Sequence, residues 1–333
     1  MLKEICPPIT IACLLVLGGC SSQVHEANER YVLVASHTRI PYWQEAYAGL
    51  RRAGAELHVK VDMVGPERYD AKAEQEAFEE AVADKSSGIL ISPTDPNLMV
   101  SDIDSALQQG IPVVTIDSDA PKSKRPFFIG SDNYEAGRLG GQLLVKLLNG
   151  KGNVVMFTYP GQANMMDRRD GYQSVFENDS DIKVIQSVDI HGEAAVAYQA
   201  AKDLLASKQQ VNAFVCLEAV ACPEVGEAVK ESNATGKVTI IAMDTDQRVL
   251  NWIQEGLVAA TIAQKPYTMA YLGVKLLDDM HHQKQGSFDT NFKQDSSSPY
   301  PAAVYTGTFL VEKENLQSFM SQSQPKANPS PKP

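Results

Sequence analysis

Gly88-Ile89-Leu90-Ile91-Ser92-Pro93-Thr94-Asp95 runs through an unbroken apolar stretch and then turns abruptly polar. A strand with one wet face alternates apolar and polar residues, whereas an unbroken apolar run is covered on both faces, as in a parallel sheet between helices. The flanks agree. Ala71 to Ala83 upstream is charged, with Phe78 and Val82 set to point inward, and Asn97 to Gln109 downstream is also helical in pattern. Further out lie Ile111-Pro112-Val113-Val114-Thr115-Ile116 as a fourth strand and Phe127-Phe128-Ile129 as a short fifth. On the N-terminal side, Tyr31-Val32-Leu33-Val34-Ala35 is the first strand, a helix follows Pro41, and Glu56 to Val64 is the second strand. The pattern then restarts, with strands at Asn153 to Phe157, Lys183 to Val188, Ala213 to Cys216, Val238 to Ala242 and Ala259 to Ala263. Two α/β sets of similar length imply two doubly wound lobes. Gly286 to Pro301 is polar, Ala303 to Val311 reads as a last strand, and Ser321 to Pro333 has the composition of a disordered tail.

The chain of 333 residues is long enough for two lobes, and its formal charge of -11 argues against nucleic acid or an anionic membrane surface as partner. At the N-terminus, Lys3 is offset by Glu4, Ile9 to Leu17 is apolar, and Leu17-Gly18-Gly19-Cys20 follows. The apolar run is short for a spanning helix. Small residues before a cysteine give the layout of a secretory leader, residues 1–19, whose cleavage exposes Cys20 for lipid attachment. A polar tether over 20–30 follows, and a bacterial envelope location on the periplasmic or extracellular side is implied. Cys6 and Cys13 leave with the leader, so Cys216 and Cys222 remain as a candidate disulfide or as two buried thiols. No metal site is expected.

Ligands in open α/β sheets bind beyond the carboxyl ends of strands. Those ends carry Ser36, His37, Tyr42 and Trp43, then Ser92 to Asp95, then Asp117-Ser118. In the second half they carry Glu218, Asp244-Thr245-Asp246 and Gln264-Lys265-Pro266. Carboxylates and amides take hydroxyl hydrogen bonds, and aromatic planes stack on the C–H faces of a sugar. Each residue also has a plainer role open to it. Tyr42 and Trp43 suit a core, Asp117 and Asp244 suit helix caps, Gln264 suits a hinge bond, and Glu218 suits a structural or solvated position.

The chain resembles the ribose-binding-protein group of type 1 periplasmic binding proteins, the sugar-binding subunits of ABC importers. The resemblance rests on Val34-Ala35-Ser36 with Pro41-Tyr42-Trp43, on Gly88 to Asp95, on Ile111 to Asp117, on Gly130-Ser131-Asp132-Asn133, on Arg168-Arg169-Asp170-Gly171-Tyr172, and on Ala259 to Gln264, in order. It implies two lobes joined by three hinge crossovers. Tyr42 and Trp43 would sandwich a sugar ring, and Asp117, Asp244 and Gln264 would take its hydroxyls. The crossovers would lie at Ser131 to Asn133, at Lys265-Pro266 and around Gly286 to Asn291. The lobes would be 31–132 plus 265–290 and 133–264 plus 291–320, with 321–333 as the tail. The sequence departs from ribose binders at Ile40, Ser92, Ser118, Met166 and Glu218, so the expected ligand is a sugar other than ribose. Asn164, Arg168, His37, Arg39 and Arg248 are candidates for the vacated roles. An acid-rich pocket of Asp117, Asp244 and Glu218 also leaves room for a cationic polyol.

No Gly-x-Ser-x-Gly, phosphate-cradling loop or His-Glu-x-x-His is present, and His281-His282 reads as an exposed helix end. The expectation is a binding protein without enzymatic activity or cofactor, monomeric, delivering a carbohydrate to an ABC permease. The alternative is a lipoprotein that reports a sugar or furanosyl signal to a chemoreceptor or sensor kinase.

Overall fold

Helix and strand alternate along most of the chain in the computed structural model, which describes residues 25–323 except 27, 180, 284–287, 289–290 and 293–294. The expected leader, the expected attachment point at Cys20 and residues from 324 onward lie outside these. The first sheet takes β1 (Arg30–Val34), β2 (Lys60–Val64), β3 (Gly88–Ile91), β4 (Val113–Ile116), β5 (Phe128–Gly130) and a late strand, β11 (Ala303–Tyr305), in the order β11-β5-β4-β3-β1-β2. The second takes β6 (Lys151–Thr158), β7 (Asp181–Asp189), β8 (Ala213–Cys216), β9 (Thr239–Met243), β10 (Ala260–Ala263) and β12 (Phe309–Glu312), in the order β12-β10-β9-β8-β6-β7. All pairings are parallel except β10 with β12. The same order twice, with every residue of β3, β4, β8 and β10 buried, is what unbroken apolar runs dictate.

Helices cover both faces. Around the first sheet lie α1 (Pro41–Leu57), α2 (Ala71–Ala83), α3 (Val100–Gln108) and α9 (Pro266–His282). Around the second lie α4 (Asn133–Leu147), α5 (Ala163–Asp179), α6 (Ala194–Ala206), α7 (Ala221–Glu231), α8 (Gln247–Glu255) and α10 (Leu316–Ser323). Helix starts follow local chemistry. Pro41 opens α1, while Asp70, Asp132 and Asp246 cap α2, α4 and α8 by accepting backbone N–H bonds at their first turns.

Four corrections follow. The stretch from Ala303 to Val311 is two strands rather than one, and each joins a different sheet. Both halves have β character, and only tertiary pairing separates them. The third crossing therefore falls at residues 306–308, not around Gly286 to Asn291, where Phe288 and Phe292 pack into the first lobe's core. The tail begins later than residue 321, because α10 runs to Ser323. The tether, in turn, ends before residue 30, since Glu29 is buried and Arg30 opens β1.

The crossings at 131–132, 264–265 and 306–308 leave the same edge of each sheet and bond to one another. Ser131 Oγ donates to Gln264 Oε1 at 2.8 Å, and the Thr306 N–H donates to the Gly130 carbonyl at 2.8 Å.

Close helix packing fixes where α5 lies. A Cβ on Gly137 of α4 would stand 2.0 Å from the Arg168 carbonyl oxygen, and one on Gly171 of α5 would stand 2.1 Å from that of Tyr134. Gly137→Ala and Gly171→Ala are each expected to lower stability by about 1–3 kcal/mol. A reduced denaturation midpoint at unchanged slope is the measurement that checks this.

Candidate functional site

The polypeptide turns at the carboxyl ends of β4 and β9 in the same unusual way. Asp117 and Asp244 immediately follow these strands and both adopt the left-handed region, with φ of 63° and 66°. Their amides donate to the next strands, Asp117 N–H to Ile129 O at 3.0 Å and Asp244 N–H to Ile262 O at 2.9 Å. Aspartate tolerates this conformation better than most residues. Neither caps a helix, since the α8 cap is Asp246. The turn instead aims one carboxylate from each lobe into the crevice between them.

Around these two acids lies an inner chamber of about 20 Å³. Its walls include Tyr42, Trp43, Asn164, Arg168, Glu218 and Gln264 with both aspartates, so eight of the expected residues converge. Asp117 accepts from Tyr42 Oη at 2.6 Å, Ser92 Oγ at 3.4 Å and, across the lobes, Asn164 Nδ2 at 3.1 Å. Asp244 accepts from Gln264 Nε2 at 2.9 Å. Arg168 donates Nε to Asn133 at 2.8 Å and Nη1 to the Leu217 carbonyl at 2.7 Å. Its Nη2 and Asn164 Oδ1 have no protein partner although both are buried. A second, wider cleft of about 620 Å³ lies between the start of α1 and the starts of α6, α7 and α8, with His37, Tyr42, Arg68, Glu193, Asp244 and Arg248 on its walls.

Burial dominates the electrostatics. It pushes the Asp244 carboxyl up to about 7, with Arg168 and the Gln264 bond pulling the other way and Asp117 adding to the rise. The Glu218 carboxyl rises to about 7 by burial against two backbone N–H bonds. Asp117 is also raised by burial, opposed by Arg168, Tyr42 and Ser92. Arg168 is the single cation among the chamber's lining residues.

Several expected roles change. Tyr42 and Trp43 meet edge to face at 85°, with centroids 5.3 Å apart, so in this arrangement the two rings do not present parallel faces for a sandwich. Glu218 accepts from the Val220 and Ala221 N–H groups, each at 2.6 Å, and so serves the first turn of α7. Ser36 is buried, with its hydroxyl lacking a protein partner, and does not line the chamber. Arg39 points outward to pair with Glu67, and Arg248 pairs with Glu224 at 3.1 Å. Cys216 and Cys222 are buried free thiols, so no bridge forms. They sit in the second lobe's apolar core, where a thiol packs as a small hydrophobe.

Tyr69, Gln162, Met165 and Ala219 also line the chamber and were not picked out in the sequence. Tyr69 stacks on Tyr159 of the other lobe at 5.3 Å and 19° and meets the His37 ring edge to face. Beside it, Arg68 pairs across the cleft with Glu193 at 3.4 Å. The signal for Tyr69 was its place in the loop after β2, another strand carboxyl end.

The chain's relatives fit this geometry. The D-allose-binding periplasmic protein of Escherichia coli is 25% identical over 263 residues, covering 76% of this chain and 85% of that protein. The ribose import binding protein of Bacillus subtilis is 25% identical over 248 residues, covering 74% and 79%. Among solved structures, a sugar-binding protein of a sugar ABC transporter from Bacillus halodurans superposes with a TM-score of 0.76 at 30% identity, covering 87% of this chain and all of that one. A solute-binding protein from Burkholderia graminis, solved with D-arabinose, gives 0.80 at 25% identity, covering 88% and 98%. The model of the periplasmic binding protein domain matches residues 31–285, in keeping with the two-lobe fold and the inter-lobe chamber, and this chain belongs to that family.

Proposed function

We propose that this protein captures a neutral monosaccharide by lobe closure and presents it to an ABC importer, held at a membrane through lipid on Cys20. The observation that carries the reading is the pair of carboxylates, Asp117 and Asp244, aimed from opposite lobes into one chamber with Arg168, Asn164 and Gln264 beside them. Ligands of the similar proteins named above support the sugar class. A neutral ligand is favoured over a cationic one because Glu218 is engaged at a helix start and burial holds Asp244 and Asp117 toward their neutral forms.

The inner chamber holds about one water molecule. Ligand entry therefore requires the lobes to part, which breaks the Asn164–Asp117 bond and the Tyr69–Tyr159 stack. Docking would return an acceptor on Asp117 to a sugar hydroxyl. Reclosure would add Asp244, Gln264 and the unpartnered Nη2 of Arg168, with water excluded. The closed surface is what a permease would recognise.

Isothermal titration against pentoses, hexoses and one amino sugar is the direct test. A neutral sugar is expected to bind more tightly than its amino analogue, and no binding by any sugar overturns the reading. Asp117→Asn and Asp244→Asn should each weaken that binding by about 1–3 kcal/mol, because a hydroxyl donor loses its charged acceptor.

Affinity should also depend on pH. Hydroxyl donation favours the ionised carboxylate, so binding releases the proton that burial retains near pH 7 on Asp244. Affinity is thus expected to rise from pH 5.5 to pH 8, and Asp244→Asn should flatten the rise. In the ligand-free protein the sign is opposite: the folded state holds this proton more tightly than the unfolded one, so stability declines as pH climbs from about 4 to about 7.

For the anchor, Cys20→Ser is expected to move the protein from the membrane fraction to the soluble envelope fraction. An unchanged distribution rejects lipid attachment.

A further inference from the structure

At the end of the first lobe remote from the crevice, four side chains from two distant parts of the chain converge. His25 and Glu29 precede β1, while Asp278 and His282 stand one turn apart on α9. Their nearest ligand-type atoms all lie within 4.8 Å of one another. His25 Nε2 is 3.0 Å from Asp278 Oδ1, and His282 Nε2 is 3.2 Å from Glu29 Oε2 and 3.6 Å from Asp278 Oδ1. A tetrahedral ion with bonds of about 2.0 Å sets its ligand atoms about 3.3 Å apart. Three of the contacts, at 3.0, 3.2 and 3.6 Å, are already close to that spacing, and all four atoms lie within 4.8 Å of one another.

The surroundings fit a cation as well. Glu29 and Asp278 are 3% and 5% exposed, and among the described residues neither pairs with a lysine or arginine. The nearby Arg30 guanidinium turns away to Asp62 and Asp84. Two buried carboxylates with only imidazoles for company are short of positive charge. Both carboxylates are also held by other donors, Glu29 through the oxygen that faces away from His282 and Asp278 through Oδ1 itself. The Glu26 N–H donates to Glu29 Oε1 at 2.6 Å, and the Tyr31 hydroxyl donates to Asp278 Oδ1 at 2.9 Å. Such bonds hold carboxylates in place around a metal.

We propose that His25, Glu29, Asp278 and His282 bind a divalent ion of the zinc type. Two imidazoles and two carboxylates within reach of one ion suit that class, whereas calcium and magnesium require six or more oxygen ligands or near-octahedral geometry. The ion joins the segment that leads in from the N-terminus to the last turn of α9, across 253 residues of sequence. It is separate from the crevice and does not depend on the sugar reading.

The test uses protein stripped with a chelator and free of tag histidines, with Zn2+ as probe in calorimetry and thermal melting. One Zn2+ per chain should bind and raise the melting temperature, with no such response to Ca2+ or Mg2+. His25→Ala and His282→Gln should each weaken Zn2+ binding by more than about tenfold. His25 is half-buried near the chain's beginning, so its removal leaves the lobe core intact, and an unchanged circular dichroism spectrum confirms that both variants fold. No Zn2+ binding by the parent, or equal binding by the folded variants, overturns the proposal.

Discussion

A guanidinium carried on α5, that of Arg168, faces three carboxylates, and its charge opposes the effect of burial on each of them. Its position is set by the backbone as much as by its own bonds. The glycine at 137 lets α4 approach the Arg168 carbonyl, and the side chain is then clamped between Asn133 beside a crossing and the Leu217 carbonyl at the end of β8. One cation thus links the hinge, the packing of two helices and the charge state of the chamber. Removing it would leave three buried acids without an opposing charge, so the chamber's chemistry and the second lobe's architecture are not separable.

The two lobes solve the same problem twice. In each, the fourth strand ends on an aspartate in the left-handed region whose amide reaches the fifth strand. This places equivalent acceptors on opposite walls. The departures from symmetry carry the remaining chemistry. Tyr42 and Ser92 serve Asp117, whereas Gln264, lying in a crossing, serves Asp244.

Much of this was legible in the sequence because burial on both faces leaves an unambiguous mark. The runs at Leu33, Leu90 and Val114 could only be interior parallel strands, and strand ends in such sheets are where ligands meet side chains. Asp117, Asp244 and Gln264 therefore lay within reach of sequence reasoning, whereas Asn164 and Arg168, on α5, were candidates only through the family resemblance. What escaped it depended on pairing at a distance. Ala303 to Glu312 has ordinary strand composition, and nothing local shows that Tyr305 ends in one sheet while Phe309 begins in the other. Tyr69 sits in a polar loop, and its stacking partner Tyr159 comes from the opposite lobe. Glu218 has the character of a ligand acceptor, yet its oxygens meet amides only two and three residues on. His282 reads as an exposed helix end until the segment at His25 is brought against it.

The three crossings share one sheet edge and are tied to one another through Ser131, Gln264 and Thr306. Three cords in a row behave as a door hinge rather than a ball joint: they resist twisting and sideways sliding and leave rotation about a single axis. The closure proposed above would then have one degree of freedom, so little orientational entropy would be lost as the lobes meet. On the proposed closure, opposed groups such as Asp117 and Asn164 would return to the same register on every cycle, which would make the outer shape of the shut molecule a reproducible signal for any partner that must tell it from the open one.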